Sequence, residues 1–203
     1  VINLQLSPLY GWNVVTKRLF DIGLSFVALL VLAPLMAVVG LTIKLTSPGQ
    51  VLFRQKRVGI DGQVFTMIKF RSMSLDSEHE GPKMTVPGDA RRTRFGAFLR
   101  KTSLDELPQL WNVLRGDMSL VGPRPEQPEF IDDFKREIPR YALRHKMKAG
   151  MTGWAQVNGM RGQTSIEKRI EFDLYYIENW SVTLDLKILV RTVLGGFLSP
   201  NAY

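Results

Sequence analysis

The chain has 203 residues, 27 Lys and Arg against 19 Asp and Glu, a formal charge of +8 and no cysteine. That length holds one domain with a modest core, and the lack of thiols excludes disulfides, thiol catalysis and Cys-type zinc sites. Only His79 and His145 are present, so a His-rich metal site is disfavoured; the basic balance points to nucleic acid, anionic lipid or phosphorylated substrates without choosing among them.

Val1 to Thr16 is expected to be an irregular lead-in, and a first residue other than Met fits a piece of a longer chain. Lys17 and Arg18 precede the run Ile22 to Ile43, which carries no charge. At about 1.5 Å per residue it reaches roughly 33 Å, enough for a bilayer core. A membrane helix is therefore predicted over 19–44; a buried helix of a soluble protein is the alternative. The run is too long for a cleaved signal peptide. Pro34 sits in its middle and predicts a kink. A straight helix would place Lys17 and Lys44 on opposite sides, whereas a strongly bent one would enter and leave by one face. The residues alone leave both open, although Lys17, Arg18, Lys44, Arg54, Lys56 and Arg57 make both flanks basic.

Ser47-Pro48-Gly49 signals a turn, Val51–Phe53 a short strand, and Asp61-Gly62 a hairpin turn into a second strand, Val64–Phe70. Lys69 and Arg71, two apart, share a face if that strand continues. Ser74 to Asp89 is polar and interrupted by Gly and Pro, as in a mobile surface loop. Arg91, Arg92 and Arg94 open a helical segment with Phe95, Phe98 and Leu99 at i, i+3, i+4.

The densest chemistry lies in Arg100–Pro125, RKTSLDELPQLWNVLRGDMSLVGPRP. Pro108 belongs in a first helical turn, so a helix is predicted to start near Asp105 and to run to Leu114. Asp105 and Glu106 would then stand at its N-terminus, ionised at neutral pH. A helix cap is the plainer account of the same residues, with Asp105 as N-cap or Ser103 and Glu106 as a capping box. Arg100 and Arg124 favour the chemical account, because a carboxylate can attack phosphorus or bind Mg²⁺ while guanidinium groups neutralise phosphate oxygens.

Pro128–Ile138 is predicted to be a helix ended by Pro139, followed by a basic run of Arg140, Arg144, His145, Lys146 and Lys148. Gly150–Gly162 is glycine-rich and fits loop and short strand; it lacks the phosphate-cradle and dinucleotide patterns, which disfavours ATP or NAD. Ser165–Asn179 and Leu184–Leu198 are predicted helices. Asp173 is equally compatible with supporting the acidic pair and with a solvated face. Trp180, Lys187 and Arg191 suit seating at a membrane surface.

SLDELPQLWNVLRGDMSLVGPRP, KFRSM (Lys69–Met73), LRHKMKAGMTGWAQVNG (Leu143–Gly159) and FDLYYIENWS (Phe172–Ser181) resemble, in order, the signature of the bacterial sugar transferases, the monotopic phosphoglycosyl transferases. The likeness covers the chain from about Lys17 onward. It implies an α-rich α+β fold in one catalytic domain, 17–203. That domain would be monotopic, with a re-entrant kinked N-terminal helix, a small β-hairpin and amphipathic surface helices. It also implies transfer of hexose 1-phosphate from UDP-hexose to undecaprenyl phosphate at the cytoplasmic face of the bacterial inner membrane, releasing UMP. The roles implied are Asp105 as nucleophile, Glu106 with it on Mg²⁺, and Arg100, Arg124, Lys69 and Arg71 on phosphate. NGMRGQT (Asn158–Thr164) resembles the glucose-transferring branch. Larger family members carry extra membrane helices and a further domain ahead of this unit, and a homodimer stays open. The alternative without catalysis is a membrane-anchored nucleic-acid-binding module using Arg91–Lys101 and Arg140–Lys148; no recognisable binding module supports it.

Overall fold

The computed structural model describes residues 7–74, 91–160, 162 and 164–196. The predicted loop after Ser74 and most of the lead-in lie outside these residues. The first helix, α1, spans Trp12–Thr46. It begins earlier than the expected lead-in allows: Gly11 turns the chain with φ 55°, and the β-branched pair Val14-Val15 is helical despite a weak propensity. It continues through Pro34 to Thr46.

The burial of α1 is inverted relative to a soluble helix. Lys17, Asp21 and Ser25, spaced i, i+4, i+8, are buried, while Leu19, Phe26, Leu30, Val31, Val38 and Leu41 are exposed. Further along the same side, Ala28, Leu29 and Leu32 pack on the main core, and Met36, Val39 and Ile43 on a second cluster with Phe70 and Leu99. Lys17 Nζ donates to Asp185 Oδ2 at 2.8 Å, and Asp21 Oδ1 accepts from the Leu120 amide at 3.1 Å. Arg18 donates to the carbonyls of Val113 and Leu114 at 2.6 and 2.7 Å. These carbonyls lie in the last turn of a helix, where a cation is favoured.

Strands β1 (Leu52–Val58) and β2 (Val64–Phe70) form an antiparallel hairpin, with Val58 opposite Val64 and Leu52 opposite Phe70. Asp61 and Gly62 make the predicted turn, with φ of 50° and 78°. The β2 edge is covered by Asn112 of α3 (Gln109–Arg115): Asn112 donates to Thr66 O at 2.8 Å and accepts from Ile68 N at 3.0 Å.

A second pair is parallel and is not evident from the sequence pattern. In it β3 (Ser119–Val121) lies beside β4 (Gly150–Thr152). Three residues each are too short for a periodicity signal. Their contact explains the glycines: a Cβ on Gly150 would collide with Gly122 N, and one on Gly153 with Gly122 O. At Gly150 and Gly153 this stretch joins backbones. Around the pairs lie α2 (Arg94–Lys101), α4 (Pro128–Glu137), the short α5 (Trp154–Val157), α6 (Ile166–Glu178) and α7 (Val182–Gly196). Pro128 takes the first turn of α4, as expected, and Ser165, the first residue of the predicted helix, is the N-cap of α6.

Candidate active site

Asp105 and Glu106 do not lie in the first turn of α3. Ser103 adopts a left-handed conformation (φ 57°), a single 3-10 turn carries Leu104–Glu106, and Pro108 is the N-cap of α3. Ser103 makes no side-chain cap hydrogen bond, so neither cap account of SLDE holds. The dyad is instead presented on a tight corner between α2 and α3.

Asp105 is only 7% exposed, and among the described residues none donates a hydrogen bond to its carboxylate. Burial and the neighbouring Glu106 charge push its pKa up to about 6, against the opposing pull of Lys69, Arg100 and Arg124. It therefore remains mostly ionised at neutral pH, with a smaller margin than a helix N-terminus would give. Glu106 Oε1 accepts from Arg124 at 2.7 Å and lies 3.4 Å from Lys69 Nζ. Burial pushes the Lys69 ammonium pKa down, and Glu106 opposes that; Glu106 pushes the Arg124 guanidinium up.

Each basic residue has a traceable placement. Lys69 is delivered by β2. Arg100 ends α2, where its Nε donates to Ser72 Oγ at 2.9 Å. That approach depends on Gly96, where a Cβ would collide with Ser72 O. Arg124 projects from the loop between β3 and α4, and four successive carbonyls of that loop are held. Pro123 O accepts from Gly150 N at 2.9 Å and Arg124 O from Arg144 at 2.8 Å. Pro125 O accepts from Arg57 at 3.1 Å and Glu126 O from Val58 N at 2.9 Å.

The structure thus gathers Asp105, Glu106, Lys69, Arg100 and Arg124. It does not bring Arg71 to them. Strand β2 ends at Phe70, and Arg71 donates to Ser47 O and Ser47 Oγ at 2.9 and 2.6 Å, bracing the end of α1. Sequence reasoning misses Arg57, which reads as a flank charge. Its guanidinium donates to Gln55 Oε1, lies near Arg124, and has its pKa lowered to about 10 by burial and by that like charge. Arg144 is missed as well, because it sits in an apparent basic run. It is 2% exposed and paired with Asp173, whereas Arg140 pairs with Glu178 and Lys146 with Asp61. This divides the basic run that the nucleic-acid alternative needs.

Hard carboxylate oxygens suit Mg²⁺, which binds through one or two carboxylates and completes its shell with phosphate oxygens and water. Among the described residues no group of three His, Asp or Glu side chains gathers. The unengaged Asp105 carboxylate with Glu106 beside it fits such a partial site.

The profile of the bacterial sugar transferases matches residues 12–199, and the chain belongs to this family. It is 47% identical over its whole length to the UDP-glucose:undecaprenyl-phosphate glucose-1-phosphate transferase of Escherichia coli (strain K12), of which it spans 45%. It is 47% identical over 94% of its length to a UDP-N-acetylgalactosamine-undecaprenyl-phosphate N-acetylgalactosaminephosphotransferase of Aeromonas hydrophila, spanning 46% of it. It is equally similar, at 47% over 90% of its length, to the exopolysaccharide production protein PSS of Rhizobium leguminosarum bv. phaseoli, of which it spans 96%. The chain spans under half the length of the first two.

Proposed function

We propose that this chain transfers hexose 1-phosphate, with glucose as the first sugar to try, from UDP-hexose to undecaprenyl phosphate. The observation that carries this is Asp105: a nearly buried carboxylate, without a hydrogen bond from the described residues, ringed by Lys69, Arg100 and Arg124. A carboxylate without a donor partner is available as a nucleophile, and the three cations match a diphosphate. The names of the Escherichia coli and Rhizobium relatives support the substrates and a place in exopolysaccharide production.

An Asp105 oxygen forms a bond to the β-phosphorus while the bond to the α-phosphate oxygen breaks, and UMP leaves with that electron pair. A lipid phosphate oxygen then attacks the same phosphorus, giving hexosyl diphosphoryl lipid and restoring Asp105. No net proton is required. Arg124 and Lys69 hold Glu106 and neutralise phosphate oxygens, and Arg100 faces Asp105. Mg²⁺ on Asp105 and Glu106 would supply charge neutralisation at the diphosphate.

The lipid acceptor stays in the bilayer, so the site belongs at head-group depth. Both ends of α1 pack on the body that holds the dyad: Lys17 on Asp185, and Ile43 beside Phe70 and Leu99. A helix carrying one end across a bilayer would separate them. This packing supports a monotopic, re-entrant seat; the family likeness implies the cytoplasmic face of the inner membrane.

The test is UMP release from UDP-glucose, UDP-galactose and UDP-N-acetylgalactosamine, with and without undecaprenyl phosphate. Without lipid, a hexose-phosphate adduct should map to Asp105. Turnover by direct transfer with no trappable adduct defeats the two-step route, and an adduct on Glu106 reverses the two roles.

A further inference from the structure

Arg124 lies between Pro123 and Pro125, whose rings fix their own φ. Pro125 also restricts the Arg124 backbone that precedes it, and the Arg124 carbonyl is held by the buried side chain of Arg144. Arg144 Nη2 donates to Arg124 O at 2.8 Å and to Asp173 Oδ2 at 2.8 Å. Arg144 Nη1 lies 3.6 Å from Glu126 Oε1, which also accepts from Arg169 at 3.1 Å. Arg144 and Asp173 are each 2% exposed.

We propose that Arg144 is a positioning residue: anchored on Asp173 of α6, it fixes the Arg124 backbone so that the Arg124 guanidinium stays on the Glu106 carboxylate. The proposal rests on the transferase reading for its kinetic consequence. A stabilising role alone is a weak account, because a buried ion pair contributes little compared with apolar packing of similar volume. Nη2 alone donates both hydrogen bonds, one to the Asp173 carboxylate and one to the Arg124 carbonyl, while Nη1 lies beside Glu126 and the Tyr141 hydroxyl. A point-charge ammonium on a flexible stem does not reproduce this planar arrangement. The same network reaches Glu126, whose backbone carbonyl joins the loop to β1. The loop is thereby fixed between the hairpin that carries Lys69 and the helix that carries Asp173.

The test is a double-mutant cycle on the full chain in lipid nanodiscs. Arg144→Lys keeps the buried charge and should lower kcat for UMP release about tenfold. Arg124→Lys, which loses the fork on the dyad, should lose about tenfold or more. If Arg144 acts through Arg124, the double variant is no worse than Arg124→Lys by more than about threefold. Multiplied losses, about a hundredfold together, overturn the proposal, as does unchanged kcat in Arg144→Lys. Should Arg144→Lys fold poorly, Arg144→Gln with Asp173→Asn removes both buried charges at once and enters the same cycle. A second readout is independent of turnover. The ¹⁵N Nε–H signal of Arg124, assigned by its loss in Arg124→Lys, should broaden or exchange faster in Arg144→Lys, and an unchanged signal overturns the positioning role. Failure of the unaltered chain to release UMP from any UDP-sugar defeats the transferase reading instead, and the Arg124 signal then decides this proposal alone.

Discussion

In the proposed role, Asp105 is a functional group kept at the expense of stability. An unfolded aspartate titrates near 3.8, and burial raises Asp105 to about 6. The folded state therefore binds the proton more tightly. The stability this contributes is fully present below about 3.8 and is lost as the pH rises through about 6. At pH 7 the ionised side chain is a burden of about 1–3 kcal/mol. Asp105→Asn should raise the denaturation midpoint while abolishing UMP release, and a variant that is both inactive and less stable would contradict this account. If Asp105 is the nucleophile as proposed, kcat/KM of the unaltered chain should fall tenfold per unit below about pH 6, as its carboxylate is protonated. Exhaustive EDTA treatment should remove turnover and Mg²⁺ should restore it; full activity after chelation would discard the metal. Asp105, Glu106, Arg100 and Arg124 are singled out in the sequence by their residue types, and the structure brings them together. Arg144 is not, since sequence cannot separate a buried arginine from a surface one inside a basic run.

At the scale of elements, the signals that hold are those carried by backbone chemistry: Pro128 opening α4 and Asp61-Gly62 turning the hairpin. Those that mislead depend on tertiary context. The Ser103 left-handed turn detaches the dyad from α3, and the end of β2 at Phe70 turns Arg71 away from Lys69. The parallel β3–β4 pair forms between segments far apart in sequence and too short to carry a period. Gly96 gives an element-scale test. Helix α2 is seated so closely against Ser72 that a Cβ at this position would meet the Ser72 carbonyl well inside van der Waals contact. Gly96→Ala, normally favourable within a helix, should here lower stability by about 1–3 kcal/mol as overpacking does. It should also reduce turnover through displacement of Arg100 from Ser72. An Ala variant as stable and as active as the parent would mean that α2 is not fixed by this contact.

At the scale of the whole molecule, apolar exposure marks the face that would meet lipid in the proposed seat. Exposed Leu, Val and Phe side chains run along α1, and Leu186, Val190, Val193 and Leu194 continue the pattern on α7, with Phe98 and Trp111 also exposed. Lys187 and Arg191 lie over the Trp154 ring at 5.6 and 5.3 Å, adding cations beside an aromatic, as suits a head-group boundary. The polar stripe Lys17, Asp21 and Ser25 is satisfied inward, where hydrocarbon cannot reach it. A helix with its protein-facing side occupied from Lys17 to Ile43 lies against the body along its length. From this follows the topology prediction. Single cysteines introduced near Lys17 and near Lys44, in a chain with no cysteine of its own, should both be labelled by an impermeant reagent from the cytoplasmic side of inner-membrane vesicles. Labelling of the two positions from opposite faces would establish a spanning helix and defeat the re-entrant seat. Lys17→Met removes the cation paired with buried Asp185, leaving a carboxylate held, among the described residues, only by the neutral Tyr176 and Trp180 donors, an uncompensated charge that is expensive in the interior. In this variant the N-terminal half of α1 should detach first, seen as new protease sensitivity near Trp12, while labelling near Lys44 stays unchanged.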